Sequence, residues 1–319
     1  MPGNSCYAGV LHCIERKNSQ SPQHHKLAVF EYSAPDAPSD STVVFLGGLF
    51  DGLGTVPYVP PLATNLPPGW HLVEPILSSS YRQWGISALN DDVLEIADLI
   101  LHFRKSNGKI VLLGHSTGCQ MIMHYLLTSQ LGGEIGLPNV DGAIMQGSCS
   151  DREALNLLTT HASYDEVCKV CKEYIDAGKA DEVLPQHFSK AIFGSSTPIT
   201  ARRMFSIASP PPDHAGEDDY FSSDLDESRL DSTFGRLGKS EARLAFLFGE
   251  RDEFVPPHIR KAEMVGSWEQ HIRNGGGNVD QSSGILANAS HTLKEGGISV
   301  DGLIGKVTGF LRRVRLLNQ

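Results

Sequence analysis

Three residues of the sequence have the types, and stand in the order, that acyl transfer needs: a serine, an aspartate and a histidine, each just past an apolar run. The serine is Ser116, within Gly114-His-Ser-Thr-Gly118. Gly and Ser each form about a tenth of the chain, so the bare Gly-x-Ser-x-Gly pattern is expected by chance roughly 0.3 times. The surroundings give it weight. The wholly apolar stretch Ile110–Leu113 runs straight into it, and the helical pattern of Cys119, Met121, Ile122, Tyr125 and Leu126 runs straight out. A serine on such a strand-turn-helix must accept strained dihedrals, and Gly114 and Gly118 are small because strand and helix pass in contact there. The helix N-terminus beneath Ser116 favours negative charge developing nearby. The bland alternative is a serine capping an ordinary βα turn.

A serine hydroxyl needs a base, and the base needs an orienting carboxylate. In folds that carry this elbow the chain order is nucleophile, acid, base. Leu244-Ala-Phe-Leu-Phe248 reads as a strand and leads through Gly249 to Asp252, the expected acid, with Glu250 and Glu253 as weaker stand-ins. Ile285-Leu-Ala-Asn-Ala-Ser-His291 reads as a last short strand ending at His291, the expected base. The chain has thirteen histidines, so His291 is singled out by its position between the last strand and the last helix. Two backbone N–H groups are needed for the oxyanion. One is expected from Thr117, the other from Leu49, with Phe50 as the alternative, in the glycine-rich loop Gly47-Gly-Leu-Phe-Asp-Gly-Leu-Gly54.

These residues must be held by a mostly parallel sheet, since β-type runs alternate with amphipathic helices along the chain. Strands are expected at Tyr7–Glu15, Lys26–Tyr32, Thr42–Gly47, His71–Ile76, Lys109–Leu113, Gly142–Gln146, Arg243–Phe248 and Gly284–Ala287. Helices are expected at Asp91–Lys105, Ser116–Ser129 and Val300–Leu316. In the first of these, Val93, Ile96, Ala97, Ile100 and Phe103 share one face. The expected fold class is therefore α/β, of the α/β-hydrolase type with an inserted helical cap. Residues 1–147 and 242–319 would form the core, the first part carrying the elbow and the second the acid and base, and residues 148–241 the cap. The cap holds helical patterns at Arg152–Thr160, Tyr164–Ala177 and Ile199–Ala208, then a Pro- and Asp-rich stretch, Pro210–Asp231, that reads as a mobile loop. Asn274-Gly-Gly-Gly-Asn278 reads as a flexible connector, because no strand-to-helix context surrounds it.

At 40% hydrophobic residues the chain can bury a large core, and its net charge of -10 opposes a general nucleic-acid role. Met1–Ser19 lacks the apolar core of a secretory signal, and no run is long enough to span a bilayer. The six scattered cysteines read as reduced cytosolic thiols, so the expected location is cytoplasmic. Cys168 and Cys171 form a CxxC, but inside a helical pattern with no second ligand pair, which speaks against a metal. No cofactor, metal or membrane partner is expected.

The chain from about Ala28 to Phe310 resembles a fungal branch of α/β-hydrolases long catalogued as an uncharacterised domain family, whose better-understood members are siderophore esterases. The resemblance rests on Phe45-Leu-Gly-Gly-Leu-Phe-Asp-Gly-Leu53, Pro75-Ile-Leu-Ser-Ser-Ser-Tyr81, Trp84-Gly-Ile-Ser with Leu89-Asn-Asp-Asp-Val93, Gly114-His-Ser-Thr-Gly-Cys119, Gln146-Gly-Ser148 and Asp151-Arg-Glu153. It implies a serine esterase that opens the ester bonds of a fusarinine-type hydroxamate siderophore. The partner would be a small-molecule ester, a ferric siderophore, whose loosened chelate would release iron inside the cell. A bulky polar substrate of that kind needs hydrogen-bonding groups and a cation at a wide mouth, for which Arg82 and Trp84, and in the cap Arg202 and Arg203, are candidates. The alternative within the class is a lipid esterase or thioesterase, whose cap would present a continuous apolar face; the acidic Pro210–Ser232 stretch argues for the polar substrate. A third, less favoured reading is a non-catalytic binding protein on the same fold.

Overall fold

The computed structural model describes residues 5–17, 26–32, 39–129 and 136–316, so the ends of the Met1–Ser19 stretch lie outside the described residues. Among these residues the centre is a nine-stranded sheet: β1 Gly9–Glu15, β2 Lys26–Tyr32, β3 Ser41–Leu46, β4 Trp70–Pro75, β5 Ile110–His115, β6 Gly142–Gln146, β7 Arg243–Gly249, β8 Asn278–Val279 and β9 Gly284–Leu286. The strands β3 to β6 are buried at every residue, and β7 at all but its first, which is why they read as unbroken apolar runs and not as alternating ones. They run parallel in the order β4-β3-β5-β6-β7, with β8 and β9 paired to β7. The β1–β2 hairpin adds antiparallel on the β4 side.

The chain adds β4 on one side of β3 and then returns to place β5 on the other. Such a reversal opens a crevice at the carboxyl ends of the two strands, where ligands bind in open α/β sheets. Register brings three loops to that point. Leu46 stands opposite Gly114, and His115 opposite Gln146, so the chain leaves β3, β5 and β6 side by side.

Helices cover both faces. On one lie α2 (Leu89–Phe103), α3 (Gly118–Ser129) and α9 (Lys261–Asn274), sharing a core with Val44, Leu112 and Phe246. On the other lie α1 (Val59–Thr64) and α10 (Ile298–Leu316), packed on Phe45, Val111 and Leu247. Truncating one fully buried aromatic there, such as Phe310, costs about 3–5 kcal/mol. Two of these helices had no clear sequence signal. In α1 the pair Pro60-Pro61 in the first turn masks any periodicity. In α9 only Val265, Trp268, His271 and Ile272 are buried, a narrow stripe. The connector Asn274–Asn278 links α9 to β8, with Gly275 packed so tightly that a β-carbon would lie 2.0 Å from the Gly235 carbonyl. No helix among the described residues is long and apolar enough to cross a membrane.

Between β6 and β7 the chain makes an excursion through α4 (Asp151–Leu158), α5 (His161–Asp176), α6 (Gln186–Phe193), α7 (Ala201–Ala208) and the single turn α8 (Glu227–Leu230). Four starts are capped by side chains as local chemistry dictates: Ser150, Thr160, Thr200 and Asp226 each accept a first-turn N–H. The first four helices share their own core, including Leu155, Val167, Cys168, Cys171 and Met204. The Cys168–Cys171 pair is thus part of that packing.

The expectation of a mobile loop at Pro210–Asp231 is not met. Asp218, Asp219, Tyr220, Phe221 and Ser222 are buried, and the stretch runs on into α8 and a wide helical turn, Asp231–Gly235. The acidic composition misled because three of its acids serve buried cations: Arg152 donates to Asp219 and Asp224, and Arg203 to Asp218. Phe221 then anchors the stretch against Trp268, ring centres 5.3 Å apart.

Candidate active site

Ser116 has φ of 53°, the left-handed region that a non-glycine residue adopts only where its surroundings force it. The forcing is visible. A β-carbon on Gly114 would lie 2.6 Å from the Gly118 carbonyl, and one on Gly118 would lie 2.2 Å from that of Leu46. The serine is pinned on both sides by its backbone: its N–H donates to the Gln146 carbonyl at 3.0 Å, and its carbonyl accepts from Cys119 at 2.8 Å.

The other two residues meet across the ends of β7 and β9. His291 Nδ1 stands 2.8 Å from Asp252 Oδ2, and both side chains are buried. A carboxylate only accepts, so Nδ1 carries the proton and Nε2 is left with a free lone pair. The second Asp252 oxygen accepts the Phe254 N–H. Glu253 instead holds the histidine's backbone, accepting the His291 N–H at 2.9 Å while Lys294 pairs with its other oxygen. Burial acts to raise the Glu253 carboxyl, but these partners overcome it and hold the group below its ordinary range. Glu250 accepts the Asn288 N–H, on the exposed side of the turn.

The loop after β3 is a tight turn, Gly48 to Asp51, closed by the Asp51 N–H on the Gly48 carbonyl at 3.1 Å. Phe50 sits in its third position with φ of 67°, where a type II turn normally has glycine. Asp51 locks the turn by accepting the Gly48 N–H and the Thr55 hydroxyl on its two oxygens. The loop presses on the serine so closely that a β-carbon on Gly48 would lie 2.7 Å from Ser116 Cβ. The N–H groups of Leu49, Phe50 and Thr117 donate to no described residue.

Ser116, His291, Leu49 and Phe50 line one cavity of about 430 Å³. Its remaining walls are mainly apolar, with Leu155, Ile192, Phe193 and Phe254 prominent, and they come largely from α4, α6 and α7. A serine and a histidine facing one cavity can draw into contact when substrate binds, because such bonds are commonly long in unliganded enzymes.

The residues expected to bind substrate are elsewhere. Arg82 is exposed and does not border the cavity. Trp84 is buried behind the wall, its ring 5.2 Å from Phe50 and 5.1 Å from Phe193. A ring of that size gains more from burial than from a loop surface. Arg202 is at the exposed surface with Asp181, and Arg203 is buried, donating to the Trp84 carbonyl and to Asp218. The Pro210–Ser232 stretch contributes nothing to the cavity lining, so its acidity is no guide to the substrate.

Two residues of the site had no role assigned from sequence. Gln146, at the end of β6, accepts on Oε1 from His115 Nδ1 (2.5 Å) and the Tyr58 hydroxyl (2.9 Å), and donates through Nε2 to the His291 carbonyl (3.1 Å). His115 is fully enclosed, its ring 4.9 Å from that of His291; burial and the neighbouring imidazole push its pKa down to about 4. A polar residue closing an otherwise apolar strand, Gly-Ala-Ile-Met-Gln146, was the available signal.

Comparison with known proteins gives a consistent picture. A family model described as a protein of unknown function (DUF1749) matches residues 4–312. The fusarinine C esterase sidJ of Aspergillus fumigatus is 34% identical, with 90% of this chain and 94% of that protein covered. An esterase of Emericella nidulans is 32% identical over 84% of each. The solved siderophore hydrolase EstB from Aspergillus fumigatus superposes with a TM-score of 0.83 at 31% identity, covering 100% of both chains. A carboxyl esterase from Bacillus coagulans, at 11% identity and a TM-score of 0.60, shares the α/β-hydrolase fold.

Proposed function

The chain belongs to the family described as a protein of unknown function (DUF1749), and from that premise we propose that it is a serine esterase acting on a fusarinine-type hydroxamate siderophore. Its membership and relatives make it a carboxylic ester hydrolase. The roles within the site are our reading. The observation that carries them is the His291–Asp252 pair, 2.8 Å apart, on the same cavity as a strained Ser116.

Ser116 Oγ attacks the ester carbonyl carbon as its proton passes to His291 Nε2. Asp252 holds Nδ1–H and stabilises the imidazolium that results. The oxygen that gains charge accepts from the N–H groups of Leu49 and Thr117, with Phe50 the alternative to Leu49. Collapse breaks the ester C–O bond; the departing alkoxide takes the proton from His291 and leaves the acyl group on Ser116. Water, deprotonated by the same nitrogen, then frees the carboxylate. Residues 148–241 act as a cap, since α4, α6 and α7 supply most of the wall opposite the serine. In a fusarinine each cut separates hydroxamate-bearing ornithine units, so a multidentate chelate loses its effective-concentration advantage and iron, the cargo, is released in the cell.

The apolar cavity walls favour a second reading, a lipid esterase or thioesterase. One experiment separates them: purified protein is incubated with ferric and iron-free fusarinine C, its acetylated relative, long-chain acyl esters and acyl thioesters, and the products are read by mass spectrometry. Ring-opened siderophore at a kcat/KM well above that of the acyl compounds supports the proposal; the reverse order overturns it in favour of the second reading.

A further inference from the structure

Asp151 is the first residue of α4, is buried, and lines the same cavity as Ser116. Its Oδ2 accepts from Gln120 Nε2 at 3.0 Å, and its other oxygen accepts from no described residue. Gln120 lies on α3 four residues past Ser116, about one helical turn, and donates to the Cys149 carbonyl as well. The carboxyl is therefore tied to the helix that carries the nucleophile. Among the described residues no lysine or arginine lines the cavity, and the other lining carboxylate, Asp51, has both oxygens engaged.

Building on the esterase reading, we propose that Asp151 is a specificity-determining residue that binds a free amine on the acyl part of the ester, next to the scissile carbonyl. Burial, with Asp218 and Asp219 nearby, holds the Asp151 carboxyl well above its ordinary range despite Arg203, which favours its protonated form. An α-amino group has a pKa of about 7.7–8.0 and enters partly as the free base. The acid gives its proton to that nitrogen, and an ammonium–carboxylate pair forms with no change in the cavity's net charge. The resulting charge-assisted hydrogen bond is among the stronger ones available. An N-acylated nitrogen cannot take the proton. A plain alkyl acyl group leaves the unpartnered oxygen facing hydrocarbon, which costs binding. An ester-linked ornithine unit with a free α-amine has the required group.

The test uses three methyl esters of one carbon skeleton, those of norvaline, N-acetylnorvaline and pentanoic acid, followed by acid release. For the wild-type protein, kcat/KM for norvaline ester should exceed that for pentanoate by about ten- to a hundredfold, with the N-acetyl ester well below the free amine. Asp151→Asn should bring the norvaline-to-pentanoate ratio to about one, and Asp151→Glu should restore part of it. A thermal melt of each variant separates loss of fold from loss of selectivity. Wild-type turnover of pentanoate without preference for norvaline overturns this inference and leaves the esterase reading standing, as does a ratio unmoved in folded Asp151→Asn. Failure to hydrolyse any of the three overturns both.

Discussion

Gln146 and His291 stand 145 positions apart in the sequence, yet the Gln146 amide donates to the His291 backbone carbonyl at 3.1 Å. The same side chain accepts from His115 and Tyr58, so the end of β6 fixes the loop that carries His291. Gln146→Leu should lower kcat more than tenfold with KM nearly unchanged, and should cost about 3 kcal/mol of stability because two buried donors lose their acceptor. Gln146→Glu keeps the acceptor and loses the donor, so it should retain more stability while kcat still falls. Steady-state kinetics beside urea melts will check this; an unchanged kcat in either variant removes Gln146 from the positioning of His291.

Ser116→Ala should abolish labelling by a fluorophosphonate probe and reduce kcat on the order of 10⁴-fold. His291→Ala should be nearly as damaging, and the double variant scarcely worse than either. Retention of more than a tenth of the activity in Ser116→Ala would assign the nucleophile elsewhere.

The two neighbouring carboxylates should separate by role. Asp252 meets the imidazole, so Asp252→Asn should drop kcat by roughly 10³–10⁴-fold. Glu253 meets only the backbone N–H of His291, so Glu253→Gln should cost about tenfold or less through a looser loop. The opposite ranking would exchange the assignments.

His115 makes stability depend on pH in a defined direction. Its folded pKa, about 4, lies below the ordinary value of 6.5, so between these values the unfolded chain takes up a proton that the folded one does not. Stability therefore falls as pH drops through that window, and at pH 5 the loss from this group is about 2 kcal/mol. The buried Asp92, raised to about 8 by desolvation and the nearby Glu95, acts oppositely, destabilising as pH rises from its ordinary value toward 8. The difference between wild type and His115→Gln isolates the histidine. Urea unfolding at pH 7 and pH 5 should show the wild type losing about 2 kcal/mol more than the variant; equal losses mean that His115 is protonated in the folded state.

The 210–231 stretch should behave as core. Phe221→Ala should cost about 3–5 kcal/mol and affect small and bulky esters alike. Leu155→Trp, in the cavity wall, should cost about 1–3 kcal/mol by overpacking and reduce kcat/KM for a bulky ester far more than for an acetate. Matched ester pairs with thermal melts will distinguish them, and the reverse pattern would return substrate selection to the 210–231 stretch.

The sheet, and the placement of Ser116, Asp252 and His291 at its edge, were readable from sequence because each signal is local: an apolar run, a glycine-spaced turn, a polar residue just beyond. The excursion was less so. Arg152 and Arg203 look like surface cations until Asp219, Asp224 and Asp218 are seen beside them, and those pairings span many residues. Proline and aspartate in 210–231 suggested solvent for the same reason. Trp84 was drawn to the site by its neighbour Arg82, whereas its place behind Phe50 depends on a helix, α6, with no clear signal.

Phe50 marks a place where evolution toward robustness and toward turnover would pull apart. Its left-handed backbone is costly for a bulky side chain, so glycine there would relax the turn. But the ring at that position is also wall: it meets Trp84 and Phe193 and faces the cavity. A lineage that traded Phe50 for an easier residue would hold a calmer loop over a leakier chamber, with the amides beside Ser116 free to turn away. The strain thus falls on one residue that is at once turn and wall.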